Sequence, residues 1–92
     1  MAAATIGKLT FGAAAFEVVI SDLLQEPVEC IVNAANSELV HGGGVAAAIR
    51  QAAGSELDQE CRQRIRAHGR IPVGEAVVTT AGRLPFKGVI HA

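Results

Sequence analysis

A chain of 92 residues with a formal net charge of −1 sets one domain as the ceiling, because at this length only roughly 60–65% of the unfolded surface is buried on folding. Half of the residues are apolar, yet 17 of them are alanine and only three residues are aromatic, and each buried alanine removes much less area from water than a leucine does. High apolar content at low charge excludes global disorder, and no uncharged apolar run approaches the ~18 residues of a membrane-spanning helix.

The stretch Met1-Ala-Ala-Ala-Thr-Ile-Gly-Lys8 has neither a basic n-region nor a long apolar h-region, so no secretory signal is visible. Near-neutral charge argues against a nucleic acid gripped by a general basic field. Cys30 and Cys61 stand alone, with no Cys-x-x-Cys pair and no histidine at ligand spacing, so no metal site is expected. Two buried, reduced thiols in a cytoplasmic protein are the expectation, with a nuclear location as the secondary alternative.

In chain order, Lys8-Leu-Thr-Phe11 offers an edge strand, and Phe16-Glu-Val-Val-Ile20 reads as a strand with Phe16, Val18 and Ile20 on one face. Val19 opposite them predicts burial on both faces. Cys30-Ile-Val32 is a second apolar run, closed by Asn33-Ala-Ala-Asn36. A helix follows the glycines and runs Val45 to Ala53, with Val45, Ala48, Ile49 and Ala52 on one stripe; Gly54 ends it.

A second helix starts at Ser55, where Ser55-Glu-Leu-Asp58 has capping-box spacing, and Leu57, Cys61 and Ile65 mark its buried face. Asp58 with Arg62 and Glu60 with Arg64 are spaced as i,i+4 ion pairs. Arg62, Arg64, Arg66 and Arg70 crowd its C-terminal half, which reads as a solvated helix end, with a nucleic-acid patch as the alternative. His68 belongs to that helix end, Gly69 stops the helix, and Pro72 forbids its return. Glu75–Thr80 and Gly88–Ala92 are further strands, His91 being a core histidine. The order is that of an α/β domain. A buried-type strand at Ala92 predicts an exposed edge and apolar surface, as in the N-terminal part of a larger domain; residues 1–15 are then an extension or edge strand and 16–92 the domain part.

The densest signal is Ile31-Val-Asn-Ala-Ala-Asn-Ser-Glu-Leu-Val-His-Gly-Gly-Gly-Val45: strand, polar loop, three glycines, helix. Adjacent glycines are entropically costly, and an anion supplies a reason for them. Helix-start N–H groups point outward, the dipole adds positive charge, and absent side chains let a phosphate approach. A Rossmann fingerprint needs an acid at the end of the next strand, whereas Asp58 and Glu60 fall on a helix. No Gly-Lys-Ser/Thr follows, which excludes a P-loop. His41-Gly-Gly-Gly44 is also similar to an esterase oxyanion loop, but Ser37 and Ser55 lack the flanks of a nucleophile elbow.

Val32-Asn-Ala-Ala-Asn-Ser37 followed by His41-Gly-Gly-Gly-Val-Ala-Ala-Ala-Ile49 strongly resembles the macro domain family of ADP-ribose-binding proteins. Ser21-Asp-Leu23, Ala53-Gly-Ser-Glu-Leu57, Pro72-Val-Gly-Glu-Ala-Val-Val-Thr79 and Leu84-Pro with Val89-Ile-His91 resemble further family motifs in the right order. The resemblance implies an α/β/α sandwich around a mixed sheet, with ADP-ribose above the strand ends and no metal or redox cofactor. It implies that Asp22 accepts from the adenine amino group, Leu23 packs beside the ring, and Asn36 holds the distal ribose. Gly42, Gly43, Gly44 and Val45 would wrap that ribose and the diphosphate with main-chain donors. Asn33 braces the loop or touches ligand; Asp22 has a second reading as a helix cap or turn acid.

Many members hydrolyse ADP-ribosyl esters or O-acetyl-ADP-ribose, and others only bind. Ala46 stands where one hydrolase subgroup has an acid; in the His-Gly-Gly-Gly-Val-Ala form the ligand's phosphate is thought to help activate water. Asn36 would orient the scissile ribose, and His41 either assists or only flanks the loop. The implied partner is ADP-ribose or an ADP-ribosylated protein, with no membrane and no specific nucleic acid. Three functions follow: an ester hydrolase, a non-catalytic reader, or an inactive truncated fragment.

Overall fold

The computed structural model describes residues 4–40 and 42–92. Strands β1 (Ala4–Phe11) and β2 (Ala14–Ile20) form an antiparallel hairpin, and a single 3-10 turn covers Leu23–Gln25. Strand β3 (Cys30–Asn33) precedes helices α1 (Gly44–Ala53) and α2 (Ser55–His68), then β4 (Val77–Thr79) and β5 (Gly88–His91). In a mixed three-stranded sheet, β5 lies at the centre, parallel to β3 and antiparallel to β4. The last strand is therefore paired on both sides, which corrects the expectation of an open edge there. The outer edges of this sheet belong to β3 and β4 among the described residues.

Alternation gives the sheet two unlike faces. Ile31, Asn33, Thr79, Val89 and His91 are buried beneath the helices, while Val32, 56% exposed, and Val78, 65% exposed, stand on the opposite face. The sheet and one helical layer of the expected α/β/α sandwich are thus present among the described residues. Leu57 and Ile49 sit at 0% and 1% exposure at the centre of the helical layer, each burial worth about 1.5–3 kcal/mol relative to exposure.

The buried stripe of α1 is Ala46, Ile49 and Ala53, so the expected stripe is rotated and Val45 and Ala48 face outward. The hairpin departs further: Phe16, Val18, Val19 and Ile20 are all exposed, which corrects the expected two-sided burial. No other strand pairs with the hairpin among the described residues.

The polar side chains of α2 serve tertiary contacts in place of the expected local ones. Gly54, not Ser55, occupies the cap position, without a side-chain cap bond. Asp58 is drawn to Arg50 of α1 at 2.8 Å, so it closes no capping box, and Arg62 reaches only the Asp58 carbonyl. Glu60 accepts from the Thr80 backbone N–H at 2.6 Å rather than pairing with Arg64, tying α2 to the end of β4. Gly69 stops the helix as expected, with φ +78° and its N–H bonded to the Ile65 carbonyl. Gly82 is required for a close approach: a Cβ there would lie 2.3 Å from the Ala53 carbonyl oxygen.

The two thiols differ, which corrects the expectation that both are buried: Cys30 is exposed and Cys61 is buried. Burial, with Asp58 and Glu60 adding repulsion, pushes the Cys61 thiol from 9.0 up to about 11. Because the thiolate is the nucleophile, a thiol reagent at neutral pH should titrate one cysteine of the folded protein rapidly and the second only in denaturant; equal, rapid reaction of both would contradict this packing. The unfolded chain loses its Cys61 proton first, so this group's contribution to stability should decline as pH rises from 9 to about 11.

Candidate ligand site at the glycine loop

The site is built on the C-terminal ends of β3 and β5. Their last residues, Asn33 and His91, are in register and almost wholly buried, so they depend on hydrogen bonds for their polar atoms. The Thr79 hydroxyl donates to the Thr80 carbonyl at 3.0 Å, so its oxygen accepts from His91 Nε2–H at 2.8 Å. His91 Nδ1 is then the acceptor for the Asn33 amide at 3.0 Å. The chain of donors fixes one imidazole tautomer and ties three strands together at the root of the loop. His91 is thus a core histidine, as expected, and Asn33 braces the loop.

From that root the loop is stitched onward. The Ala92 N–H donates to the Asn33 carbonyl and the Ala35 N–H to the Ala92 carbonyl. Asn36 then wraps the next four residues: its Oδ1 accepts from the N–H groups of Glu38 and Val40, and its Nδ2 donates to the Val40 carbonyl at 2.8 Å. The Ile71 N–H donates to the Ser37 carbonyl at 2.8 Å, fastening the loop to the segment before β4. Leu39 inserts into the core at 5% exposure with φ +54°. That conformation costs about 1–2 kcal/mol, which burial of a leucine, at about 1.5–3 kcal/mol, offsets. Leucine gave no sign of this in the sequence; Asn36, a habitual turn-former, carried the available signal.

Beyond this braced segment, His41 lies outside the described residues. Gly42, Gly43 and Gly44 follow, and a Cβ on any of them would meet nothing within 4 Å among the described residues. Gly43 has extended backbone, with φ −168°, so neither packing nor conformation requires glycine there or at Gly42. Gly44, with φ +59°, does require it. The first bond of the helix runs from Ala47 N–H to the Gly43 carbonyl. The N–H groups of Gly44, Val45 and Ala46 therefore precede the helical ladder, on open ground where the dipole is positive. Val45 is half exposed beside them, whereas Ala46 is buried beneath the helix.

Asp22 and Leu23 sit apart, in the turn after β2. Asp22 Oδ1 accepts from the Leu24 N–H at 3.0 Å and caps the 3-10 turn, realising its alternative reading as a turn acid. Asp22 and Leu23 are both exposed, so capping with one carboxylate oxygen leaves the other facing solvent. No hydrogen bond joins this turn to the glycine loop among the described residues. Asn33, at the end of β3, Asn36, Gly42 and Gly43 in the connection, and Gly44 and Val45 in the first turn of α1 thus follow one another along a single strand-to-helix segment, while Asp22 and Leu23 belong to a second element. No group of three or more metal-ligating side chains occurs among the described residues.

A family model described as Macro domain matches residues 32–92. Over 74 residues the chain is 51% identical to an O-acetyl-ADP-ribose deacetylase of Escherichia fergusonii, covering 80% of this chain and 42% of that protein. A solved Oceanobacillus iheyensis macrodomain with ADP matches it with a TM-score of 0.88 at 36% identity, covering 100% of this chain and 50% of the other. A Trypanosoma brucei macrodomain in complex with ADP-ribose matches at a TM-score of 0.66 and 34% identity, over 76% of this chain and 28% of the other. The chain spans about half the length of the first two of these relatives. With its mixed α/β sheet and its loop of open glycines at the head of α1, the chain belongs to the macro domain family.

Proposed function

We propose that this chain carries part of an ADP-ribose site, with the diphosphate at the Gly42–Val45 loop, and that the whole domain hydrolyses ADP-ribosyl esters or O-acetyl-ADP-ribose. The observation that carries the reading is the open space around Gly42 and Gly43, where no neighbour would meet a side chain. A ligand backed by the N-terminus of α1 accounts for that space, and hydrogen bonds to a charged oxygen are worth about 1.5–3 kcal/mol each. Asn36, already holding the loop, retains a second amide hydrogen for a ribose hydroxyl. Asp22 offers its outer carboxylate oxygen to an adenine amino group, with Leu23 beside the ring.

A non-catalytic reader is the second reading. Two positions favour it: Ala46, where one hydrolase subgroup has an acid, is apolar and buried, and the Glu38 carboxylate is engaged with Arg70 at 2.6 Å. His41 is the remaining candidate for assisting hydrolysis. In either reading the partner is ADP-ribose, free or attached to a protein, and a cytoplasmic location is part of the proposal.

Gly43→Glu separates site from fold. The added side chain has room and an allowed backbone, so circular dichroism should be unchanged while ADP-ribose binding, measured by calorimetry, is lost through occlusion and charge repulsion. Normal binding by the folded variant would remove the loop from the site.

Asn36→Ala separates chemistry from binding. It deletes the bonds that hold Glu38 and Val40, and a misplacement near 1 Å can cost ~100-fold in rate. Turnover of O-acetyl-ADP-ribose at saturating substrate should fall much further than affinity. An unchanged turnover number would exclude the orienting role, and a parent protein that binds without turnover would establish the reader.

A further inference from the structure

Between the loop at Leu39 and Val40 and the C-terminal turns of α2 lies an open groove of about 550 Å³, floored by Ile65, which packs against the core, and lined by Arg62, Arg66 and Arg70. Glu38 is its one acidic lining residue, and it is engaged by Arg70. Among the described residues Arg62 reaches a backbone carbonyl, that of Asp58, at 3.4 Å, and no carboxylate. Three cations against one carboxylate make this a locally positive surface on a molecule whose formal net charge is −1.

Topology places the groove beside the ligand loop. The segment leaving α2 is bonded through Ile71 N–H to the Ser37 carbonyl, and the first residue of β4, Val77, pairs with His91, the last of β5. The C-terminal end of α2 therefore lies at the same end of the sheet as Asn33, Asn36 and the glycines. Val40, which lines the groove, is the residue whose N–H and carbonyl are both held by the Asn36 side chain.

We propose that this groove docks acidic residues flanking the modified side chain of an ADP-ribosylated protein, so that the chain selects acidic carrier peptides. The proposal rests on the ADP-ribose reading above. The arginine heads supply the charge complement, and their alkyl stems with Leu39, Val40 and Ile65 supply an apolar floor for the peptide's methylenes. Exposed charges of this kind are screened over about 8 Å at physiological salt, so the preference should be strongest at low ionic strength.

The test compares two peptides carrying ADP-ribose through the same non-hydrolysable linkage, one flanked by glutamates and one by serines, with free ADP-ribose and the unmodified acidic peptide as controls. The acidic conjugate should bind about tenfold tighter than the neutral one at low salt, which corresponds to about 1.4 kcal/mol. Arg62→Gln/Arg66→Gln, two changes at exposed positions, should erase that preference while free ADP-ribose binds unchanged. The unmodified acidic peptide should shift resonances of Arg62, Ile65 and Arg66 in the parent protein alone. Equal binding of the two conjugates, or a preference that survives the double variant, overturns the groove. A short oligonucleotide that occupies the groove more tightly than the acidic peptide overturns it as well. Loss of free ADP-ribose binding in the parent protein, with the unmodified peptide still bound, indicts the ADP-ribose reading and leaves the groove as an independent acidic-peptide site.

Discussion

Side-by-side pairing of β3 with β5 joins two stretches whose last residues, Asn33 and His91, are 58 positions apart in sequence, and the segment leading to the glycines leaves from the end of that pair. Both residues face the helical layer. An unmatched buried polar group there costs about 1–3 kcal/mol, so the donor chain from Asn33 through His91 and Thr79 to the Thr80 carbonyl makes the register specific. A slip of one residue would turn His91 toward the open face and bring Ile90 beneath the helices. The polar chain therefore adds a register-specific contact to a core that is otherwise mostly aliphatic and non-directional.

The loop that starts there changes character along its length. Its first half is over-determined: backbone bonds to Ala92 and Ile71, three bonds from the Asn36 side chain, and Leu39 driven into the core despite a left-handed backbone. Its second half is bare, with glycines whose missing side chains would touch nothing. A braced stem presenting an open backbone is suited to an anion, because the donors are held in place before the ligand arrives and little ordering remains to be opposed. Attraction at the helix terminus falls off within one turn, so the overall charge of −1 matters less than the position of these few amides.

Much of this was legible in the sequence because its signals are local. Glycine after α1 and α2, proline after α2, and Leu57, Cys61 and Ile65 at helical spacing set both helices to within a residue. The glycine run named the loop, and Asn33 and His91 were read as bracing and core residues. What escaped was tertiary. Asp58 and Glu60 have helical partners at ideal spacing, yet Arg50 and the Thr80 amide lie closer in space. Strand β2 has an apolar pattern that predicts burial, but pattern alone does not specify what would cover it, and its side chains are exposed. The same holds for Cys30, the first residue of β3, which shares the exposed face of that strand with Val32. The central position of β5 was equally invisible, since strand order is set by crossovers and not by any one segment.

The central claim is that the backbone at the head of α1 receives the diphosphate. Titration of the isotopically labelled chain with ADP-ribose, followed through its amide resonances, tests this at the atoms concerned. The account predicts that the Gly43, Gly44, Val45 and Ala46 amides shift most, moving downfield as they donate to phosphate oxygens, while amides along α2 stay in place. Shifts concentrated on α2 or the hairpin, with the glycine amides unmoved at saturation, would contradict it.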